Sequence, residues 1–149
     1  RGPGHFLNGL SVTGNVFRAI DGAVDGIENV DTSQAGLDHG RARNVLFQSN
    51  VFHGVSQICV NPVTVTHEQP TTAATWTVDA SDLLPFGGKA ITVVSVVPAG
   101  ALRNAGNAVA HAAPYAEAMQ GAGDARIALK WPEALRGAVV VTLRSDTPQ

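Results

Sequence analysis

Two stretches of this chain repeat one another at a fixed distance, and that repeat limits what the rest can fold into. Leu10-Ser11-Val12-Thr13-Gly14-Asn15-Val16-Phe17 and Val45-Leu46-Phe47-Gln48-Ser49-Asn50-Val51-Phe52 each run an alternating apolar stretch into a small residue, then Asn, Val and Phe. Asn15 and Asn50, like Phe17 and Phe52, stand 35 positions apart (50 − 15, 52 − 17). A right-handed parallel β-helix accounts for this, because successive coils stack at about 4.8 Å and equivalent residues then lie over one another. Val12 and Phe47 should point inward, and Phe17 should stack on Phe52. Asn15 and Asn50 should occupy a tight bend, where Asn tolerates left-handed backbone and bonds to its counterpart. The competing reading is two unrelated amphipathic strands, each followed by a turn. A coil takes roughly 20 residues or a little more, so the longer spacing implies an inserted loop, assigned to residues 21–43.

Asn61-Pro62 ends this pattern, since proline cannot donate to a ladder. Residues 1–62 are therefore read as terminal coils and residues 63–149 as a separate antiparallel, β-sandwich-like domain. In the second part the alternating runs are Val63–His67, Thr75–Val78, Lys89–Val97, Ala108–Ala113, Arg126–Trp131 and Ala138–Arg144. Turns are expected at Glu68-Gln69-Pro70-Thr71, Asp79–Asp82, Leu84–Gly88 and Pro98-Ala99-Gly100. Residues 112–120 read as a loop, because Pro114 and Gly121-Ala122-Gly123 argue against a helix. An open β-helix end exposes unpaired edges and an apolar cross-section, so a terminal domain should cover it.

Composition narrows the functional classes. A net charge of −2 leaves no basic face for a nucleic-acid backbone. The longest apolar run, Ala138–Val141, is strand-sized against the roughly 20 residues that a membrane-spanning helix needs. Charged residues make up 15% of the chain, below the roughly 25% of ordinary domains, and 16 glycines help to fill their place. That profile suits a sheet-rich, durable protein. The single cysteine, Cys59, permits no internal disulfide and reads as a buried inert thiol. The opening Arg1-Gly2-Pro3-Gly4 suggests a piece cut from a longer protein rather than a natural start.

Chemistry-bearing residues are sparse. Glycoside hydrolysis uses two carboxylates about 5–5.5 Å apart for retention or about 6.5–9.5 Å apart for inversion. The candidates are Asp21, Asp25 and Asp38, in an acidic stretch that also holds Glu28 and Asp31; the competing role is solvated turn residues. Calcium could use the same carboxylates with Asn29, but their spacing fits no calcium-loop signature. A lyase would want a base beside cations, and His39 with Arg41 and Arg43 is the local cluster of that kind. His5, His53, His67 and His111 are isolated, so no metal site is expected, and no motif calls for a cofactor. Sugar binding needs aromatic platforms ringed by polar groups. Tyr115, Trp131 and Trp76 are the candidates, with Arg41 and Arg43 as polar partners. Trp76 alternates with threonines as a core residue would, Trp131 stands at a strand end before Pro132 where exposure is expected, and Tyr115, in a loop of small residues, is the best exposed candidate.

Taken together, the layout resembles the C-terminal part of pectate-lyase-like right-handed β-helix proteins of phage tailspikes and related particles. Gly9–Phe17 is similar to their coils, and Val139–Asp146 to the close of their terminal β domain. More narrowly, it resembles spike or fibre proteins of alphaproteobacterial prophages and gene transfer agents, which bind host capsule. The resemblance covers most of the chain. It implies a homotrimer on the surface of a virion-like particle, in contact with other particle proteins, recognising bacterial surface polysaccharide. Polysaccharide depolymerisation and a purely structural trimerisation cap are the alternatives.

Overall fold

The computed structural model describes residues 7–31, 33 and 38–149. Arg1–Gly4 and His5 lie outside them. Ten strands are present among the described residues, and the first four are short and parallel in pairs. β1 (Ser11–Thr13) pairs with β3 (Leu46–Gln48), and β2 (Val16–Arg18) with β4 (Val51–His53). Every partner in these two pairs is 35 residues away, as the repeat requires (46 − 11, 51 − 16). Phe17 and Phe52 stack with ring centroids 5.5 Å apart and planes 15° from parallel. Asn50 Oδ1 accepts from the Asn15 backbone N–H at 3.0 Å and from its side-chain amide at 3.2 Å.

Two details of this region differ from expectation. The left-handed residues at the bend are Gly14 and Ser49, each just before the asparagine. The side chains of Asn15 and Asn50 then bond across the bend, which leaves the strain to the smaller residues. The inserted loop is also shorter than residues 21–43. Val24 bridges Val55, and Gln57 N–H donates to Asp25 O at 2.8 Å, so pairing continues that far. Arg43 already bridges Asn8, again 35 residues away (43 − 8).

The remainder of the chain forms a single antiparallel sheet. β5 (Val63–Asp79), β6 (Thr92–Pro98), β7 (Leu102–Asn104), β8 (Val109–Ala110), β9 (Tyr115–Gln120) and β10 (Arg126–Arg144) are all linked in it. β10 is the hub. One edge pairs with β5, while the other meets β9, β7 and β6 in turn. Two pairs of segments expected to be separate strands are therefore each one continuous strand. The turn placed at Glu68–Thr71 lies inside β5, and Pro132 lies inside β10. Each proline coincides with a slip in register. Between Gln69 and Ala73 β5 advances four residues while β10 advances two (73 − 69, 137 − 135); between Ala73 and Thr75 β5 advances two while β10 advances five (75 − 73, 135 − 130). Bulges are where a strand tolerates proline, because the missing N–H is not asked for. Residues 115–120, expected to be a loop, form β9, and the Ala108–Ala113 run contributes only the two residues of β8.

The bulges bend the β5–β10 ribbon back over itself. His67 and Trp76 are nine residues apart on one strand, roughly 30 Å if it were straight, yet their ring centroids are 5.9 Å apart. The two layers of the expected sandwich are thus two halves of one sheet. Between them lies a core of Trp76, Ile127, Leu129, Leu135, Val139, Val141 and Leu143, all fully buried. A smaller core of Val45, Phe47 and Cys59 fills the N-terminal part, and Phe86 of the C-terminal part packs against it.

The chain's end ties the two parts together. Asp146 is fully buried; its Oδ2 accepts from Val45 N–H at 2.9 Å and its Oδ1 from the Asn61 amide at 2.8 Å. Arg144 forms a two-pronged ion pair with the same carboxylate at 2.8 and 3.0 Å. Thr147 then bridges Arg43 in parallel, the next position along from Asn8 and Arg43.

Candidate functional site

The first register slip that bends the ribbon also opens a groove of about 500 Å³ on the surface. Glu68, Gln69 and Pro70 of β5 form one wall, and Arg136, Gly137 and Ala138 of β10 the floor. The other wall is the β7–β8 hairpin with Arg103 and Asn107. Gly137 makes this shape possible. Its φ is +144°, and a Cβ there would sit 2.8 Å from Leu102 Cδ2, so any side chain would be strained and would force the buried Leu102 side chain to shift.

Arg103 and Arg136 are direct cross-strand partners. Both are held by Asn107, which adopts left-handed backbone (φ 64°) at the hairpin tip. Arg103 Nη1 donates to the Asn107 backbone carbonyl at 2.9 Å, and Arg136 Nη2 donates to Asn107 Oδ1 at 2.8 Å. Among the described residues, neither arginine has a carboxylate within ion-pair distance. The groove is therefore a donor-rich surface with one acid, Glu68, in its wall. A second, more apolar groove of about 410 Å³, lined by Leu102, Val109 and Ala110, adjoins it at Ala101.

The residues singled out from sequence lie elsewhere. Trp76 is fully buried, its Nε1–H donating to Ala73 O at 3.0 Å and Leu135 O at 3.2 Å, so it is a core residue. Trp131 corrects the expectation of exposure. It is 5% exposed and packs on Trp76 with ring centroids 4.9 Å apart, because β10 does not end at Pro132 but carries the ring inward. Neither indole face is open to a sugar. Tyr115 is 67% exposed, on a strand rather than in a loop, opposite Lys130. Lys130 is paired with Glu117 at 2.8 Å.

The acidic loop is partly folded down. Asp21 and Asp25 are exposed, and Asp38 caps a single 3-10 turn by accepting from Gly40 N–H at 2.9 Å. Glu28 reaches the C-terminal part, where Oε1 accepts from Phe86 N–H at 3.0 Å. Among the described residues no group of three acids, histidines or cysteines is placed to hold a metal ion. Arg43 spends its guanidinium on the carbonyls of Gly40 and Ala42, which fixes the loop's return. Arg41 and Arg43 line a small opening with Asn8 and Gln149. Burial, and to a lesser degree the Lys89 charge, hold His39 below its ordinary value. Burial pushes the Cys59 thiol up to about 11, the reverse of what a nucleophile needs.

Sequence reasoning missed Arg103, Arg136 and Asn107. The signal within the sequence is weak: Asn104-Ala105-Gly106-Asn107 is hairpin-turn chemistry that places Asn107 at a tip. Nothing local aligns Arg103 with Arg136. Comparison with protein-family models, with curated proteins and with solved structures gives no match for this chain.

Proposed function

We propose that this chain is the terminal part of a right-handed parallel β-helix spike or fibre protein on a phage-like particle, and that it binds bacterial surface polysaccharide. Coils are supported by the constant 35-residue offset of the parallel pairs and by the stacked Phe and Asn residues. Right-handedness follows from the strong preference of parallel crossovers for that hand. The particle setting, the trimer and the capsule ligand rest on the sequence resemblance.

Binding rests on one observation, the groove whose two arginines and asparagine present donors that no other described side chain takes up. Sugars are oxygen-rich, and recognition of hydroxyl and carboxyl oxygens draws on guanidinium and amide donors. With a single acid in its wall the groove suits holding better than a two-carboxylate hydrolysis.

Incubation of the protein with purified capsule from the host tests this reading. Retention of the polymer at unchanged length is expected. Shortening of the polymer would move the assignment to a depolymerase, and no retention at all would sink it. A structural role as a cap is favoured by a separate observation, the closure of the coil end by Asn61, Arg144 and Asp146. A trimeric mass in solution is expected for a spike tip, and a monomeric mass would remove the trimer from the proposal.

A further inference from the structure

The pairing of Arg103 with Arg136 is a charge conflict that the protein leaves open. Like charges directly opposite on neighbouring strands repel, and a guanidinium cannot shed its charge at any pH a protein survives. Two other arginines on β10 are answered with carboxylates: Arg126 holds Asp79 at 2.9 Å, and Arg144 holds Asp146 at 2.8 Å. Here the only partners among the described residues are two carbonyl oxygens of Asn107, each accepting one bond. The remaining donors of both guanidinium forks are unspent. Glu68 lines the same groove, so the three charges sum to +1 on a protein whose net charge is −2.

We propose that the groove takes an anionic sugar residue, whose carboxylate, or sulfate or phosphate, bridges Arg103 and Arg136. An oxyanion with two or more terminal oxygens matches two guanidinium forks better than a hydroxyl does, and such bonds are the strong, charge-assisted kind. Asn107 fixes the orientation of both forks beforehand, so little ordering is left for the ligand to drive. The inference rests on the polysaccharide reading above and narrows it to acidic polymers.

The test measures retention of polygalacturonate, its carboxyl-reduced derivative, dextran sulfate, neutral dextran and purified host capsule. Polygalacturonate or dextran sulfate should bind at least about tenfold tighter than the uncharged polymers, and which of them binds identifies the oxyanion. Binding should weaken as salt rises from 50 to 500 mM, roughly as screening shortens. Arg103→Gln and Arg136→Gln should each cost about tenfold, while Arg126→Gln, which removes the same charge elsewhere, should cost less than about twofold.

Asn107→Asp separates binding from mere structure. It supplies the missing carboxylate from within, so it should raise the melting temperature and abolish anion binding, whereas a damaged fold would lower both. Equal retention of charged and uncharged polymers, or indifference to the Arg103 and Arg136 changes, would overturn the acidic-sugar inference and leave the polysaccharide reading standing. Retention of none of the five would remove both. A change in oligomeric mass on Arg136→Gln, with binding unaltered, would assign the arginines to a neighbouring copy's carboxylate and overturn the inference.

Discussion

At Asp146 two opposing effects act on one carboxyl. Burial disfavours the charged form, but bonds from Arg144, Val45 N–H and the Asn61 amide outweigh it and hold the group below its ordinary 3.8. A depressed folded-state value means that the carboxylate contributes stability above the unfolded value of about 3.9. That contribution is lost as pH falls through the still lower folded value. Asp146→Asn should therefore unfold at lower urea concentration at pH 7, by about 3 kcal/mol, because Arg144 is left without its counter-charge and two N–H donors face each other. Below about pH 4 the gap between the variant and the parent should narrow. Urea titrations at pH 7 and pH 3 check both. No local pattern announced this residue: its partners Val45 and Asn61 are 101 and 85 positions away. Trp131 is the opposite lesson, since its sequence neighbours suggested a strand end and its ring lies in the core.

On the scale of single elements, β5 and β10 decide the architecture. Their alternating halves were legible at Val63–His67, Thr75–Val78, Arg126–Trp131 and Ala138–Arg144, because a half-buried strand alternates whatever surrounds it. Their continuity was not. Proline marks a turn or a bulge equally well, and only pairing with a partner that also slips its register selects the bulge. Gly137 sits at the slip and tests the point. Gly137→Ala should lower stability by about 2 kcal/mol, through strain at φ +144° and a collision with Leu102. It should also weaken polymer binding by displacing Arg103 from Arg136. Thermal melting and the polymer assay check the two effects, and a variant as stable as the parent would show that β7 can retreat from β10 without loss.

Across the whole molecule, the tail binds the two parts into one unit. Ser145–Thr147 lie at the end of the parallel strand pairs, with Ser145 N–H donating to Asn61 Oδ1 at 2.9 Å and Thr147 N–H to Ala42 O at 3.0 Å. Removing residues 145–149 should leave secondary structure largely intact while exposing the small core around Val45 and Phe47. The expected signs are dye binding typical of exposed apolar surface and association at the uncovered strand edges. Circular dichroism with a dye-fluorescence titration checks this; unchanged dye binding would mean that Asn61 and Phe86 close the end unaided.

The sequence by itself determined the all-β character, the parallel register of the first part and the pairing of Phe17 with Phe52. These follow from alternation and from a repeat in which like residues must stack, both properties of the chain read in order. Tertiary structure alone decided the folding-over of the ribbon, the burial of Trp131, the buried carboxylate at Asp146 and the groove. Each of these joins residues far apart in sequence, as Arg103 and Arg136 are by 33 positions (136 − 103). Such a meeting is set by where a long strand bends and which neighbours it acquires. Those are outcomes of global packing that no short stretch of sequence encodes.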